Sequence, residues 1–74
     1  MVKLSSLPEG TKGIITKIDE INHTLYDLGI IEGTIVKCVK KNKGIGAYLI
    51  KDCVIALRDE ETCKILIEIG ELNG

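Results

Sequence analysis

Residues 25–36 read LYDLGIIEGTIV, and the apolar pattern changes within them from helical to extended. Leu25 and Leu28 continue a stripe that begins at Ile21, because the three residues are spaced at i, i+4 and i+7. Gly29 follows directly, in the position where the residue after a helix often takes a positive φ. The stretch therefore predicts a short helix that ends in a glycine and is followed by a new element.

The next element is predicted to be a strand. Gly33 occupies a turn position that favours a positive φ. Beyond it, Val36 and Cys38 alternate with Ile35 and the residues on the other face, which is the period of a strand. Extended patterns are predicted at residues 11–19, 34–41, 47–51, 53–57 and 64–69, with a helical turn at 58–63 and a flexible loop at 42–46.

Composition agrees with a mostly β fold. The chain has 74 residues, of which 45% are hydrophobic, and it contains neither Phe nor Trp. Isoleucine supplies much of the apolar content, and β-branched side chains favour strands. We predict one domain over residues 1–74, a small SH3-like β-barrel of about five strands with one short inserted helix, and a frayed tail at 70–74. An α+β sandwich is the alternative.

Charge and hydropathy argue against two classes of partner. The formal net charge is −1, whereas a nucleic-acid binder needs clustered positive charge. The one dense basic run, between Lys37 and Lys43, is interpreted as a solvated hairpin tip. The longest apolar run covers residues 53–57, far short of the ~20 residues of a spanning helix. We expect a cytoplasmic protein that does not insert into the membrane.

No catalytic constellation is found. Cys38, Cys53 and Cys63 lie far apart without a CxxC pair, so each is interpreted as a small hydrophobe in or near the core. His23 is the only histidine. We therefore expect no enzyme, no catalytic residue and no assigned metal ligand. The three thiols, His23 and the acidic residues 59–61 leave one rival hypothesis open, a sensor or carrier that binds Fe²⁺.

Four motifs together resemble the ferrous iron transport protein A (FeoA) family over about residues 4–68. They are LxxLPxGxxGxI at 4–15, LxxLGIxxGTxV at 25–36, IALR at 55–58 and ILIE at 65–68. The family is also similar to the C-terminal SH3-like domain of DtxR-type iron-dependent repressors. The chain departs from the family pattern at Glu32, where Pro is frequent, and at Asp52, where Gly is frequent.

The resemblance implies a small accessory protein of ferrous iron uptake. It implies an interaction module for the FeoB-type membrane transporter, which carries a cytosolic GTP-binding domain. It assigns a structural role to four matched residues: Leu25, Leu28, Gly29 and Gly33. It implies no tightly bound cofactor and leaves weak Fe²⁺ binding open. For the partner contact we select Tyr26 and Ile31, which lie outside the obvious core pattern.

Overall fold

The computed structural model describes residues 1–20 and 23–69, and its main element is one antiparallel sheet of six strands. Along the sheet the strands follow the order β1-β6-β2-β3-β4-β5. The strands are β1 (Val2–Lys3), β2 (Lys12–Ile18), β3 (Ile35–Asn42), β4 (Ile45–Ile50), β5 (Cys53–Arg58) and β6 (Ile65–Glu68). A 3₁₀ helix (Leu4–Ser6) and two short α-helices, α1 (His23–Asp27) and α2 (Asp59–Thr62), complete the described elements.

The prediction of a mostly β fold is confirmed, with two corrections. The sixth strand, β1, has only two residues, which is too short to show an alternating pattern. The flexible loop predicted at 42–46 is wrong, because β3 reaches Asn42 and β4 begins at Ile45. A two-residue turn joins them, with Gly44 at φ 76°. Ile21 and the predicted tail at 70–74 lie outside the described residues.

Two irregularities help the sheet to curve around its core. The register shifts between Ile15 and Lys17 where β2 pairs with β6, and between Cys38 and Lys40 where β3 pairs with β4. Such bulges increase the local twist of a strand. Among the residues that the structure describes, the curved sheet encloses twelve buried apolar ones: Leu4, Leu7, Ile15, Leu25, Ile30, Val36, Cys38, Tyr48, Ile50, Leu57, Ile65 and Ile67.

The largest buried side chain packs against a glycine. Tyr48 has no exposed surface, and its ring lies over the backbone of Gly46 two residues earlier on β4. A Cβ atom at residue 46 would lie 2.8 Å from both the Cε2 and the hydroxyl oxygen of Tyr48. This close approach explains why the strand carries a glycine at a position where β propensity alone disfavours one.

Two buried titratable groups in this core make stability depend on pH. Burial raises the pKa of the Cys38 thiol and also the pKa of the Tyr48 phenol. In the unfolded chain these groups titrate near about 8.5 and 10, so the unfolded state loses its protons first as pH rises. The stabilisation is therefore complete below about pH 8.5 and is lost progressively above it.

We expect the free energy of unfolding to fall above about pH 8.5, in two stages that follow the thiol and the phenol. Urea denaturation at stepped pH measures this. The Cys38→Ala variant should lose the first stage and keep the second, near about pH 10. A wild-type free energy of unfolding that stays constant through both stages would contradict the assignment.

Candidate functional site

A groove of about 300 Å³ lies between the end of β2 and the helix α1 with its following turn. Apolar side chains form most of its wall, and two carboxylates accompany them. We call it the docking groove; its lining residues are Ile18, Glu20, Leu25, Tyr26, Ile30, Ile31 and Glu32.

A helix C-terminal motif shapes one wall of the docking groove. The N–H of Ile30 donates to the Leu25 carbonyl at 3.0 Å, and the N–H of Gly29 donates to the Tyr26 carbonyl at 2.9 Å. These two bonds are the pair that defines a Schellman motif. Gly29 takes φ 94°, which an L side chain rarely adopts. The chain therefore reverses at Gly29 and turns Ile30 into the core, where 2% of it is exposed.

The turn that follows is held to the sheet. The N–H of Gly33 donates to the Ile15 carbonyl at 2.7 Å, and the N–H of Ile15 donates to the Thr34 carbonyl at 2.9 Å. Thr34 adds a side-chain bond from its Oγ1 to the Gly29 carbonyl at 3.0 Å. Gly33 has φ 91°, as its turn position predicts. The groove wall is therefore fixed to β2 by the backbone bond of Gly33, and the Thr34 side chain ties Gly29 to the same turn.

The structure brings the two residues selected for partner contact into one site. Tyr26 and Ile31 both line the docking groove; Tyr26 is 58% exposed and Ile31 is half-buried. Leu28 does not continue the buried stripe predicted from Leu25, since 43% of Leu28 is exposed. The helix ends at Asp27, which places Leu28 at the helix end, where its side chain is partly exposed to solvent. Only Leu25 of this pair packs into the core.

A charged depression of about 420 Å³ adjoins the groove and shares Glu20 and Leu25 with it. Glu20 accepts a bond from Lys64 at 2.9 Å, and this contact raises the pKa of Lys64. Both side chains are about half exposed or more, so the pair contributes little to stability. The depression is also lined by Arg58, Glu60, Glu61 and Ile65. Charged side chains thus border one side of the apolar groove.

The cysteines differ in environment, and all three are free thiols. Cys38 lies in the core, as predicted. Cys53 is exposed and Cys63 is half-buried, so the interpretation of every cysteine as a residue in or near the core is wrong for Cys53. That residue begins β5, on the outermost strand of the sheet. Within residues 1–20 and 23–69, no three His, Cys, Asp or Glu side chains come together as a metal site.

None of the helices in the described part of the chain has the length and apolar character needed to cross a bilayer. The fold and the groove define a small curved β module with an apolar surface site beside a helix. Its backbone bonds around Gly29 and Gly33 explain the sequence pattern at residues 25–36.

The FeoA domain family model matches residues 2–69, and the chain therefore belongs to the FeoA family. No curated protein sequence matches the chain significantly. Iron(II) transport protein A from Clostridium thermocellum is similar in structure, with TM-score 0.87 and 23% identity over 92% of this chain and 45% of that chain.

Two further solved structures are similar to this chain. Stenotrophomonas maltophilia FeoA, described as an SH3 domain protein and complexed with zinc, has TM-score 0.80 and 21% identity over 92% of this chain and 91% of that one. A manganese-dependent transcriptional repressor has TM-score 0.83 and 14% identity over 90% of this chain and 40% of that one. These likenesses confirm the predicted SH3-like fold and show that part of a manganese-dependent repressor has a similar fold.

Proposed function

We propose that the protein is a cytoplasmic accessory protein of ferrous iron uptake that docks on the cytosolic GTP-binding domain of a FeoB-type transporter. Family membership supports the pathway. The similar protein of Stenotrophomonas maltophilia is itself described as a candidate activating factor for bacterial ferrous iron transport. The role is that of a binding module, with no reaction catalysed by the chain.

The docking groove is the observation that carries this proposal. An isolated exposed apolar residue needs no explanation, but Tyr26 and Ile31 share one concave site with Ile18. Concave apolar sites with a few polar groups are the usual binding sites of proteins. The partner segment that suits this groove presents an apolar side chain flanked by a basic residue, since Glu20 and Glu32 are among the lining residues.

Calorimetric titration of the protein with the isolated GTP-binding domain tests the proposal. We expect saturable binding that weakens as salt concentration rises, because the carboxylates attract the partner's basic residue. The titration is run with GDP and with a non-hydrolysable GTP analogue, so that a dependence on the nucleotide is visible. Absence of binding heat and of complex formation up to about 1 mM of each protein would overturn the proposal.

The zinc complex of the Stenotrophomonas maltophilia protein favours a second candidate, binding of a transition metal such as Fe²⁺. Thiolates suit such ions, and ligand atoms must lie about 2.0–2.3 Å from the metal. The thiols of this chain differ in their accessibility to a metal ion, because Cys38 is buried and Cys53 is exposed. Anaerobic calorimetry with Fe²⁺ separates the hypotheses: micromolar 1:1 binding that disappears on Cys→Ser replacement would favour the metal carrier or sensor.

A further inference from the structure

The outer edge of β5 is a second surface with the features of an interaction site. β5 is the last strand of the sheet, and it pairs along its whole length with β4, from Cys53 opposite Ile50 to Arg58 opposite Ile45. The pairing has no register shift. A regularly paired edge strand presents its outward N–H and C=O groups as a template for another strand.

Hydrogen-bonded and non-hydrogen-bonded residue pairs alternate along β4 and β5, and this alternation identifies the backbone groups of β5 that point to the open edge. A two-residue turn joins β4 to β5, and in such a hairpin the residues that flank the turn form a hydrogen-bonded pair. Cys53, Ile55 and Leu57 therefore direct their backbone groups towards β4. Val54 and Ala56 direct theirs to the open edge. These two residues can thus offer two donors and two acceptors to a further strand.

The edge lacks the features that usually prevent such pairing. Natural edge strands are protected by lysine, proline, bulges or short length. β5 reads CVIALR over six residues; it contains no lysine, proline or bulge, and its one charged residue, Arg58, is its last. The opposite edge strand, β1, has only two residues, one of which is Lys3. Val54 is 62% exposed and Ala56 is also exposed, so apolar side chains accompany the open backbone groups.

One end of the edge is already occupied. The N–H of Arg58 donates to the Glu61 Oε1 at 3.1 Å, which closes the capping box at the start of α2. The backbone N–H groups of β5 that can donate to a partner strand are therefore those of Val54 and Ala56, and not that of Arg58. The pairing segment is consequently short and is centred on Ile55, midway between the two.

We propose that a second copy of this chain pairs antiparallel with β5 about a twofold axis at Ile55. In this register Val54 lies opposite Ala56 of the partner subunit, and the two pairs related by the axis can form four backbone hydrogen bonds. Asp52 lies in the turn directly before β5 and Arg58 is the last residue of β5, so antiparallel pairing brings Asp52 of one subunit to the strand end that holds Arg58 of the partner subunit. Opposite charges across antiparallel strands are favourable, and the axis makes this pair twice.

Charge complementarity selects this register over its neighbours. A shift that brings Val54 opposite its own copy sets Asp52 opposite Ala56 of the partner subunit. A shift that brings Ala56 opposite its own copy sets Arg58 opposite Val54 of the partner subunit. In both cases the charged residues lose their opposite-charge partners across the axis. A second copy is therefore favoured over an unrelated extended segment, because the edge is complementary to itself.

Sedimentation velocity over a concentration series tests the proposal with a matched pair of variants. The wild type is expected to move from the 8.1 kDa monomer towards a dimer as concentration rises. Ala56→Pro removes one outward donor and leaves the bonds to β4 in place, since proline is tolerated on the open side of an edge strand. This variant should remain monomeric, whereas Ala56→Val, which keeps the N–H, should dimerise like the wild type. Circular dichroism confirms that both are folded.

Charge exchange tests the register itself. Arg58→Glu brings two acidic residues together across the interface, and Asp52→Lys brings two basic residues together, so each variant alone should dimerise more weakly than the wild type. An equimolar mixture of the two restores both opposite-charge pairs and should form a heterodimer. A wild type that is monomeric up to about 1 mM would overturn the proposal. Equal dimerisation of all the variants, or binding of an unrelated extended peptide by a monomeric wild type, would also overturn it.

Discussion

Replacing Gly46 with alanine is expected to lower the free energy of unfolding by about 1–3 kcal/mol, the usual cost of forcing an extra methyl group into a filled core. The added Cβ would lie 2.8 Å from two atoms of the Tyr48 side chain. Tyr48 is fully buried, so a shift of its ring also disturbs the core side chains packed around it. In a domain of this size each kcal/mol corresponds to about 4–8 °C in Tm. Thermal and urea denaturation measure the loss.

A double-mutant cycle separates the steric cause from a loss of backbone freedom. In a Tyr48→Leu background the ring is absent, so the additional effect of Gly46→Ala should be small. Gly33→Ala is a useful comparison, because Gly33 has φ 91° and open space where a Cβ would lie. Its cost is expected to be about 1–2 kcal/mol and independent of Tyr48. Equal effects of Gly46→Ala in both backgrounds would show that the ring contact is not the cause.

Replacing Ile31 with aspartate is expected to weaken binding to the FeoB-type GTP-binding domain by about 100-fold. Full burial of an isoleucine side chain is worth about 1.5–3 kcal/mol, and an unpaired carboxylate in the contact adds a desolvation cost. A loss of about 2.7 kcal/mol corresponds to a hundredfold change in affinity. Glu20 and Glu32 line the same groove and would repel the new charge from nearby. Calorimetry measures the affinity.

The matched control is Val39→Asp. Val39 is 46% exposed and lies on β3, outside the docking groove, so the variant introduces the same charge elsewhere on the surface. Its affinity should stay within about threefold of the wild type, an energy difference of about 0.7 kcal/mol. Comparable Tm values for the two variants are required to exclude unfolding. Equal weakening by both would show that net charge, and not the groove, governs binding.

The local structure at residues 25–36 could be predicted from sequence because its signals are short-range. Gly29 and Gly33 occupy positions that need a positive φ, and both have one in the structure. The same reasoning failed at Leu28, where the helix ends one residue earlier than the apolar spacing suggests. It also failed at residues 42–46, because two polar residues and two glycines in five positions are equally compatible with a loop and with a tight hairpin.

The groove as a whole could not be predicted, although two of its residues were. Tyr26 and Ile31 are close in sequence, so their placement on one surface could be inferred from the local sequence alone. Ile18 and Glu20 reach the same site only because β2 ends beside the segment that follows α1. That proximity depends on pairing between β2, β3 and β6, whose register the sequence pattern does not specify. The order of the strands, which also depends on long-range pairing, leaves β5 at the edge of the sheet.

The central claim is that the docking groove binds the GTP-binding domain of a FeoB-type transporter, and an NMR titration tests it most directly. Isotope-labelled protein is titrated with the unlabelled domain, and amide shifts are followed along the chain. The account predicts saturable shifts concentrated at Ile18, Tyr26 and Ile31, with none at Val54 on the β5 edge. Binding with shifts confined to other surfaces, or no shifts at residues 22–33 with the domain in large excess, would contradict it.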